Sequence, residues 1–178
     1  MTFAVAACGH SGTMFLATQL GKAKGWTVKH EADETFSYRL ANERFATQEK
    51  YGEVNSYLLS CLMQLKVDKK AILLRNPYDI CQSISRNGYG QFAVNYVREC
   101  VSMLDGLASQ NVPVFLFRKI VSDPEYLSAC AEMLGVDLPA SEIDVKTIIN
   151  RQHGTPQTLT FNAVTQLEFN EFMERYAL

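Results

Sequence analysis

The sequence FAVAACGHSGTMFL, residues 3–16, decides the fold of this chain. Residues 3–8 form a continuous apolar run with the length of a buried strand, and this run leads into a loop that contains two glycines. After the loop, Phe15, Leu16 and Leu20 recur at helical spacing. The stretch therefore predicts a strand, a loop and a helix in direct succession.

Apolar strands and amphipathic helices continue to alternate along the chain. Further strands are predicted at residues 26–28, 71–74 and 112–117. Amphipathic helices are predicted at residues 57–65, 92–107 and 166–176. This alternation predicts an α/β fold, a three-layer sandwich in which helices cover both faces of a central, mostly parallel sheet. Ligands of such sheets bind at the carboxyl ends of the strands.

Two segments lack a clear periodicity. Residues 32–54 are polar and aromatic, and residues 137–163 mix prolines, glycine and polar groups. We expect both to be loops that face a substrate. The 178 residues suit one domain, spanning residues 1–178.

Composition and charge exclude several classes of function. With a net charge of -2 and a pI near 5.9, the chain lacks the excess of basic residues typical of nucleic-acid-binding proteins, so we expect no nucleic-acid partner. The five cysteines lie in apolar stretches without the short paired spacings of zinc or redox sites, so we expect reduced core cysteines and no metal. No basic leader precedes the first strand, and no apolar run is long enough to span a membrane, so we expect a cytoplasmic protein.

The loop after the first strand has the chemistry of an anion site. Its glycines give conformational freedom, its backbone amides and the dipole of the next helix converge on one point, and its hydroxyls add donors. The predicted site comprises the whole loop: Gly9, His10, Ser11, Gly12, Thr13 and Met14. A nucleotide triphosphatase loop would have lysine after Gly12, where this chain has Thr13. A tight turn without a ligand is the alternative.

A second candidate phosphate contact follows the strand predicted at residues 71–74. Asn76 is placed as a helix N-cap with Pro77 at the first helical position, so Arg75 should lie at the edge of the sheet. Ser83 falls about two turns into the helix. Guanidinium groups bind phosphate oxygens through charge-assisted hydrogen bonds, so Arg75 and Ser83 together could hold a terminal phosphate. Each residue alone would be an ordinary surface side chain.

These segments resemble motifs of the sulfotransferase family. Residues 10–14 are similar to the family's Lys/Arg-Ser-Gly-Thr-Thr loop for the 5′-phosphosulfate, and Arg75 with Ser83 is similar to its 3′-phosphate motif. A third segment, residues 117–124, resembles Tyr-Glu-Asp-Leu-Val-x-Asp-Pro. The resemblance implies an α/β sulfotransferase that uses 3′-phosphoadenosine-5′-phosphosulfate. Within it, Arg151 is the nearest match to the family's glycine-rich basic segment.

The resemblance also suggests which residues carry the reaction. His10 stands where many members have a lysine that contacts the bridging oxygen of the donor. Glu31 is the first choice for the base that activates a hydroxyl or amine of the acceptor, and His30 is the second. The acceptor, a small molecule or glycan, is not identified. The chain is short for the family, which suggests either a reduced acceptor-binding region or an acceptor site completed by another subunit of a homo-oligomer.

Two other functions fit the same residues. A non-catalytic nucleotide-binding module would keep the phosphate contacts, with His10 marking lost catalysis. A small-molecule or nucleotide kinase would share the sheet and the loop, but the loop lysine is missing and no aspartate at a strand end is placed to hold magnesium.

Overall fold

A five-stranded parallel sheet forms the centre of the protein. The structure is a computed structural model that describes residues 1–32, 37–145, 155 and 157–178. Its strands are β1 (Thr2–Ala7), β2 (Thr27–His30), β3 (Tyr51–Asn55), β4 (Lys69–Leu74) and β5 (Val114–Leu116). The spatial order is β2-β3-β1-β4-β5, and every pairing between these strands is parallel. The register places Val5 of β1 opposite Val54 on one side and Ala71 on the other.

Helices connect the strands. The α-helices are α1 (Thr13–Leu20), α2 (Tyr38–Thr47), α3 (Pro77–Ile84), α4 (Phe92–Ser109), α5 (Phe117–Ile120), α6 (Pro124–Met133) and α7 (Ala163–Tyr176). Two 3₁₀ helices, Ser56–Gln64 and Ala140–Glu142, and one π-helical turn, Ser85–Tyr89, complete the described elements. The segment predicted as a helix over residues 57–65 is therefore the tighter 3₁₀ form.

Hydrophobic layers cover both faces of the sheet. Phe3 and Val5 point to one face, where they pack in a cluster with residues of α1 and α6. Ala4 and Ala6 point to the other, where the cluster includes residues of α3, α4 and α7. Full burial of a large apolar side chain contributes about 1.5–3 kcal/mol, so both clusters stabilise the sandwich. The predicted α/β fold with a central parallel sheet and helices on both faces is confirmed.

The prediction of a substrate-facing loop over residues 32–54 was wrong for most of its length. This stretch contains α2 and β3, and β3 lies between β2 and β1 in the interior of the sheet. The polar residues of β3 make its sequence resemble a loop. Glu53 is nevertheless fully buried, and it accepts two hydrogen bonds from Arg44, at 2.7 and 3.1 Å. It also accepts bonds from Tyr51 at 2.9 Å and Asn55 at 3.2 Å. These four donors compensate for the buried charge.

Other expectations from the sequence can be compared with the structure directly. All five cysteines are buried and free, as predicted. Within the described residues, no helix is long and apolar enough to cross a membrane. The assignment of residues 1–178 to one domain stays a prediction.

Candidate functional site

The segments singled out by the sequence meet at the edge formed by the carboxyl ends of the strands. The loop of residues 8–12 follows β1, Glu31 follows His30 at the end of β2, and Arg75 follows β4. Since all the strands are parallel, these ends lie on the same side of the sheet. The topology therefore creates one site from residues that are far apart in sequence.

The backbone of the loop requires glycine at one position. Gly12 has a φ of 89°, and a β-carbon there would lie 2.1 Å from Cε2 of Phe117. The first helical hydrogen bond of α1 is that of the Leu16 amide, which donates to the Gly12 carbonyl at 3.2 Å. The amides of Thr13 and Met14 therefore point out of the N-terminus of α1, where their dipoles favour an anion.

Helix α4 holds the beginning of the loop. The amide of Gly9 donates a hydrogen bond to the hydroxyl oxygen of Tyr96 at 3.1 Å. Burial raises the pKa of Tyr96, so its hydroxyl stays neutral. The amide of Ser11 donates to the carbonyl of Cys8 at 3.2 Å, which closes the turn. Tyr96 thus fixes the loop from outside, a role that the helical pattern alone could not reveal.

His10 connects the loop to the second candidate phosphate segment. Its Nδ1 lies 3.0 Å from Oγ of Ser83, and its Nε2 lies 3.3 Å from Nδ2 of Asn87. Arg75 donates to the carbonyl oxygen of His10 at 3.0 Å. The loop and the segment after β4 therefore form one connected unit.

The environment of His10 keeps its ring uncharged near neutral pH. Loss of hydration lowers the pKa of His10, the negative charge of Glu31 acts in the opposite direction, and the positive charge of Arg75 lowers it further. Because the ordinary value is 6.5, the lowered pKa leaves imidazole in its neutral form at pH 7. A neutral ring donates one hydrogen bond and accepts another.

Three buried polar atoms at this edge have no hydrogen-bond partner in the described part of the chain. They are Oγ of Ser11, Nε of Arg75 and Nε of Arg86. The guanidinium of Arg75 also lies 4.7 Å above the centre of the Phe117 ring, and burial lowers its pKa. Buried donors without partners are costly, and an anionic ligand would satisfy them. The donor set is thus suited to phosphate groups.

The two candidate bases lie beside the loop and have different partners. Nε2 of His30 is 2.9 Å from Oγ1 of Thr13, the first residue of α1. Oε1 of Glu31 accepts a hydrogen bond of 2.5 Å from Ser56 and lies 3.8 Å from Nε2 of His30. Glu31 has a left-handed backbone, with a φ of 47°, and its amide donates to Val54 of β3. β3 and the helix that follows it therefore orient the carboxylate.

The structure brings most of the predicted residues together. The loop residues 9–14, Arg75, Ser83, His30 and Glu31 all lie at the same edge, whereas Arg151 lies outside the described residues. Ser56 was not predicted because it directly precedes the helix predicted at residues 57–65 and carries no chemical signal of its own. Arg86 and Asn87 could be placed near the site from their position after α3, but not oriented.

A comparison with solved structures agrees with this architecture. The chain superposes on a structure described as the sulfotransferase domain from the Synechococcus PCC 7002 olefin synthase, with a TM-score of 0.68. The match covers 100% of this chain and 95% of that one at 14% sequence identity. This chain has a sulfotransferase-like α/β fold. The identity is low, and no protein-family model or curated protein sequence matches the chain.

The sulfotransferase-like fold places the connected loop and Arg75 segment where α/β proteins bind ligands. Among the described residues, no group of three or more His, Cys, Asp or Glu side chains is arranged to hold a metal ion. The donors at this edge are amides, hydroxyls and guanidinium groups, a set typical of anion binding.

Proposed function

We propose that the protein transfers a sulfuryl group from 3′-phosphoadenosine-5′-phosphosulfate to a hydroxyl or amine of an acceptor. The observation that carries the proposal is the convergence of buried, unpartnered donors on Ser11 and Arg75 at one edge of a sulfotransferase-like sheet. Such donors are costly without a ligand and favourable with an anionic one. The hydroxyl or amine chemistry of the unidentified acceptor, a homo-oligomeric state and a cytoplasmic location stay predictions.

The donor would be held at two points. The free amides of Thr13 and Met14, with the hydroxyls of Ser11 and Thr13, would bind the 5′-phosphosulfate end at the N-terminus of α1. Arg75 and Ser83 would bind the 3′-phosphate, with Arg151 as a further proposed contact. His10 lies between the two points, in contact with both segments.

In the proposed reaction, the acceptor oxygen or nitrogen attacks sulfur in line with the bond to the leaving phosphate oxygen. A new bond to sulfur forms, the sulfur–oxygen bond to the nucleotide breaks, and the acceptor proton passes to a base. The products are the sulfated acceptor and 3′-phosphoadenosine-5′-phosphate. Negative charge grows on the leaving phosphate, so the amides of the loop would contribute by hydrogen bonding, and the neutral ring of His10 would do so by exchanging its contact with Ser83 or Asn87 for the phosphate.

We favour Glu31 over His30 as the group that accepts the proton. The ring of His30 already lies at hydrogen-bond distance from Thr13 through Nε2. The contacts of Glu31 with Ser56 and His30 both involve Oε1, so Oε2 is directed to neither of these partners. A carboxylate held by one oxygen keeps its second for the acceptor.

One observation favours the second candidate, a nucleotide-binding module without turnover. The lowered pKa of His10 removes the positive charge that a lysine would bring to the leaving group. Binding would then persist while catalysis is weak. A kinase has less support, since Thr13 follows Gly12 where a triphosphatase loop has lysine.

Calorimetric titration tests the donor site first. Wild-type protein should bind 3′-phosphoadenosine-5′-phosphate in preference to ATP with magnesium, and Arg75→Ala should weaken that binding by about 10- to 100-fold, as for a lost charge-assisted hydrogen bond. Arg98→Ala removes an exposed arginine that pairs with Glu168 and is the matched control. Preference for ATP, or no binding of either nucleotide, would sink the sulfotransferase proposal.

A turnover assay then separates the two candidates. Radiolabelled donor is incubated with a panel of phenols, sugars and amines, and Glu31→Gln serves as the catalytic control. Transfer by the wild type that Glu31→Gln abolishes, with nucleotide binding intact, supports the enzyme. Binding without transfer to any acceptor class favours the module.

A further inference from the structure

Arg86 occupies a special position beside the candidate phosphate site. It lies in the π-helical turn Ser85–Tyr89, three residues after Ser83 on the helical continuation of α3. The turn is not regular, because Gly88 within it has a non-helical backbone with a φ of 88°. The turn is tied down at Ser85, whose Oγ donates to the carbonyl of Gln82 at 2.9 Å and accepts from the amide of Gln157 at 3.3 Å.

The guanidinium of Arg86 is close to Arg75 and lacks an ion-pair partner among the described residues. Its positive charge contributes to the lowered pKa of Arg75, whereas the exposed carboxylate of Asp79 acts in the opposite direction. Nε of Arg86 and Nε of Arg75 are both buried without an acceptor in the part of the chain that the structure describes. Two guanidinium groups whose positive charges act on each other thus each carry a buried donor without an acceptor in the described residues.

Like charges that act on each other destabilise the protein unless an anion lies between or beside them. A phosphate monoester carries a charge of about −1.5 to −2 at pH 7 and three acceptor oxygens, which matches two guanidinium groups. A single arginine would leave part of that charge uncompensated. The pair is therefore better matched to a terminal phosphate than to a bridging phosphate or a sulfate ester with one charge.

We propose that Arg86 is a second arginine ligand of the terminal phosphate of the nucleotide and sets the selectivity for nucleotides that carry a 3′-phosphate. The proposal rests on the proposed function, since it needs that phosphate to bind beside Arg75 and Ser83. Arg86 reaches the site from the π-helical turn, while Arg75 reaches it from the end of β4.

Binding of two nucleotides tests this role. Calorimetry measures the Kd of 3′-phosphoadenosine-5′-phosphate and of adenosine 5′-monophosphate, which lacks the 3′-phosphate, for the wild type, Arg86→Gln, Arg86→Lys and Arg98→Gln. Arg86→Gln should raise the Kd of the 3′-phosphorylated nucleotide by about 10- to 100-fold and leave that of adenosine 5′-monophosphate unchanged. Arg86→Lys should fall between, because lysine keeps the charge but not the planar fork. Arg98→Gln should bind like the wild type.

The outcomes are distinguishable. If the wild type does not bind 3′-phosphoadenosine-5′-phosphate, the proposed function fails and this role fails with it. If the wild type binds it and Arg86→Gln binds equally well, or loses both nucleotides to the same degree, the role of Arg86 is refuted while the donor site stands.

A measurement on the wild type covers the case in which an Arg86 variant does not fold. Phenylglyoxal modifies arginine side chains, and peptide mass spectrometry follows Arg75 and Arg86 separately. We expect 3′-phosphoadenosine-5′-phosphate to protect both residues and adenosine 5′-monophosphate to protect neither. Protection of Arg75 without protection of Arg86 would overturn the proposal.

Discussion

Replacing Gly12 with alanine should destabilise the protein through two separable effects. The first is conformational, because a left-handed backbone at φ 89° costs a residue with a β-carbon about 1–2 kcal/mol. The second is steric, because the new carbon would lie 2.1 Å from Cε2 and 2.4 Å from Cδ2 of Phe117. Overpacking of this kind costs about 1–3 kcal/mol. We therefore expect Gly12→Ala to lower the free energy of unfolding by about 2–5 kcal/mol.

Two other glycines of the same chain supply controls. Gly88 has nearly the same backbone, with a φ of 88°, but nothing lies within 4 Å of a β-carbon placed there. Gly88→Ala should therefore show the conformational cost alone, about 1–2 kcal/mol. Gly106 lies exposed within α4 with open space around it, so Gly106→Ala should stabilise the protein by up to about 1 kcal/mol.

Urea denaturation measures the change in the free energy of unfolding for Gly12→Ala, Gly88→Ala and Gly106→Ala. In a chain of this length, each kcal/mol corresponds to about 2–4 °C in Tm, so thermal melts give a second reading. A double-mutant cycle with Phe117→Ala should recover the steric part as a coupling energy of about 1–3 kcal/mol. If Gly12→Ala is no less stable than Gly88→Ala, or if the cycle shows no coupling, the argument that Phe117 closes on the loop is refuted.

Three further predictions concern charge and anchoring. The pKa of His10 is lowered in the free protein, and a bound phosphate should raise it. Affinity for 3′-phosphoadenosine-5′-phosphate should therefore increase as the pH falls from the pKa of His10 in the complex to its pKa in the free protein. Calorimetry across pH should show this increase in the wild type and a smaller one in His10→Gln, which retains the titration of the ligand itself. Arg44→Ala should lower the free energy of unfolding by about 3–5 kcal/mol, because it leaves the fully buried carboxylate of Glu53 without its ion-pair partner. Urea denaturation measures the loss, and a loss below that of an ordinary surface substitution would contradict this account. Tyr96→Phe removes the acceptor of the Gly9 amide with little loss of apolar packing, and should weaken nucleotide binding by about 2- to 10-fold. Unchanged affinity would show that the loop needs no hydrogen bond from α4.

The sequence predicted those parts of the fold in which local pattern and tertiary environment agree. Residues 3–7 of β1 and 71–74 of β4 are buried on both faces and apolar throughout, so the pattern identifies these parts of the two strands directly. The start of α3 was also predictable, since Asn76 accepts hydrogen bonds from the amides of Tyr78 and Asp79 as an N-cap should.

β3 could not be predicted because its stability comes from a partner outside the strand. Glu53 is compatible with a buried strand through the guanidinium of Arg44, nine positions earlier on α2. Gly52 leaves space for the ring of Phe3, whose Cζ would lie 2.1 Å from an added β-carbon. Neither relation has a signature in a window of adjacent residues, so local periodicity indicated a loop.

The candidate site likewise combines local sequence patterns with contacts between residues that are distant in sequence. A glycine loop between strand and helix, and an arginine with a serine eight positions later, are local patterns with a chemical meaning. The contact of His10 with Ser83 spans 73 positions, and that of Ser56 with Glu31 spans 25. Such contacts depend on strand order, which sets β3 between β2 and β1 and so brings the helix after β3 next to the end of β2.

Strand order also accounts for the chemistry that a neutral His10 would support. Because β1 pairs with β4, the loop after β1 lies against Arg75, and that guanidinium contributes to keeping the histidine uncharged. Under the proposed function, the positive charges of Arg75 and of Arg86 in the π-helical turn would lie at the 3′-phosphate and not at the leaving group. A site arranged in this way would bind a dianionic phosphate firmly but offer the leaving group a hydrogen bond in place of a cation. Turnover should consequently depend more on pH than nucleotide binding does, since protonation of His10 adds the missing charge at the reacting end.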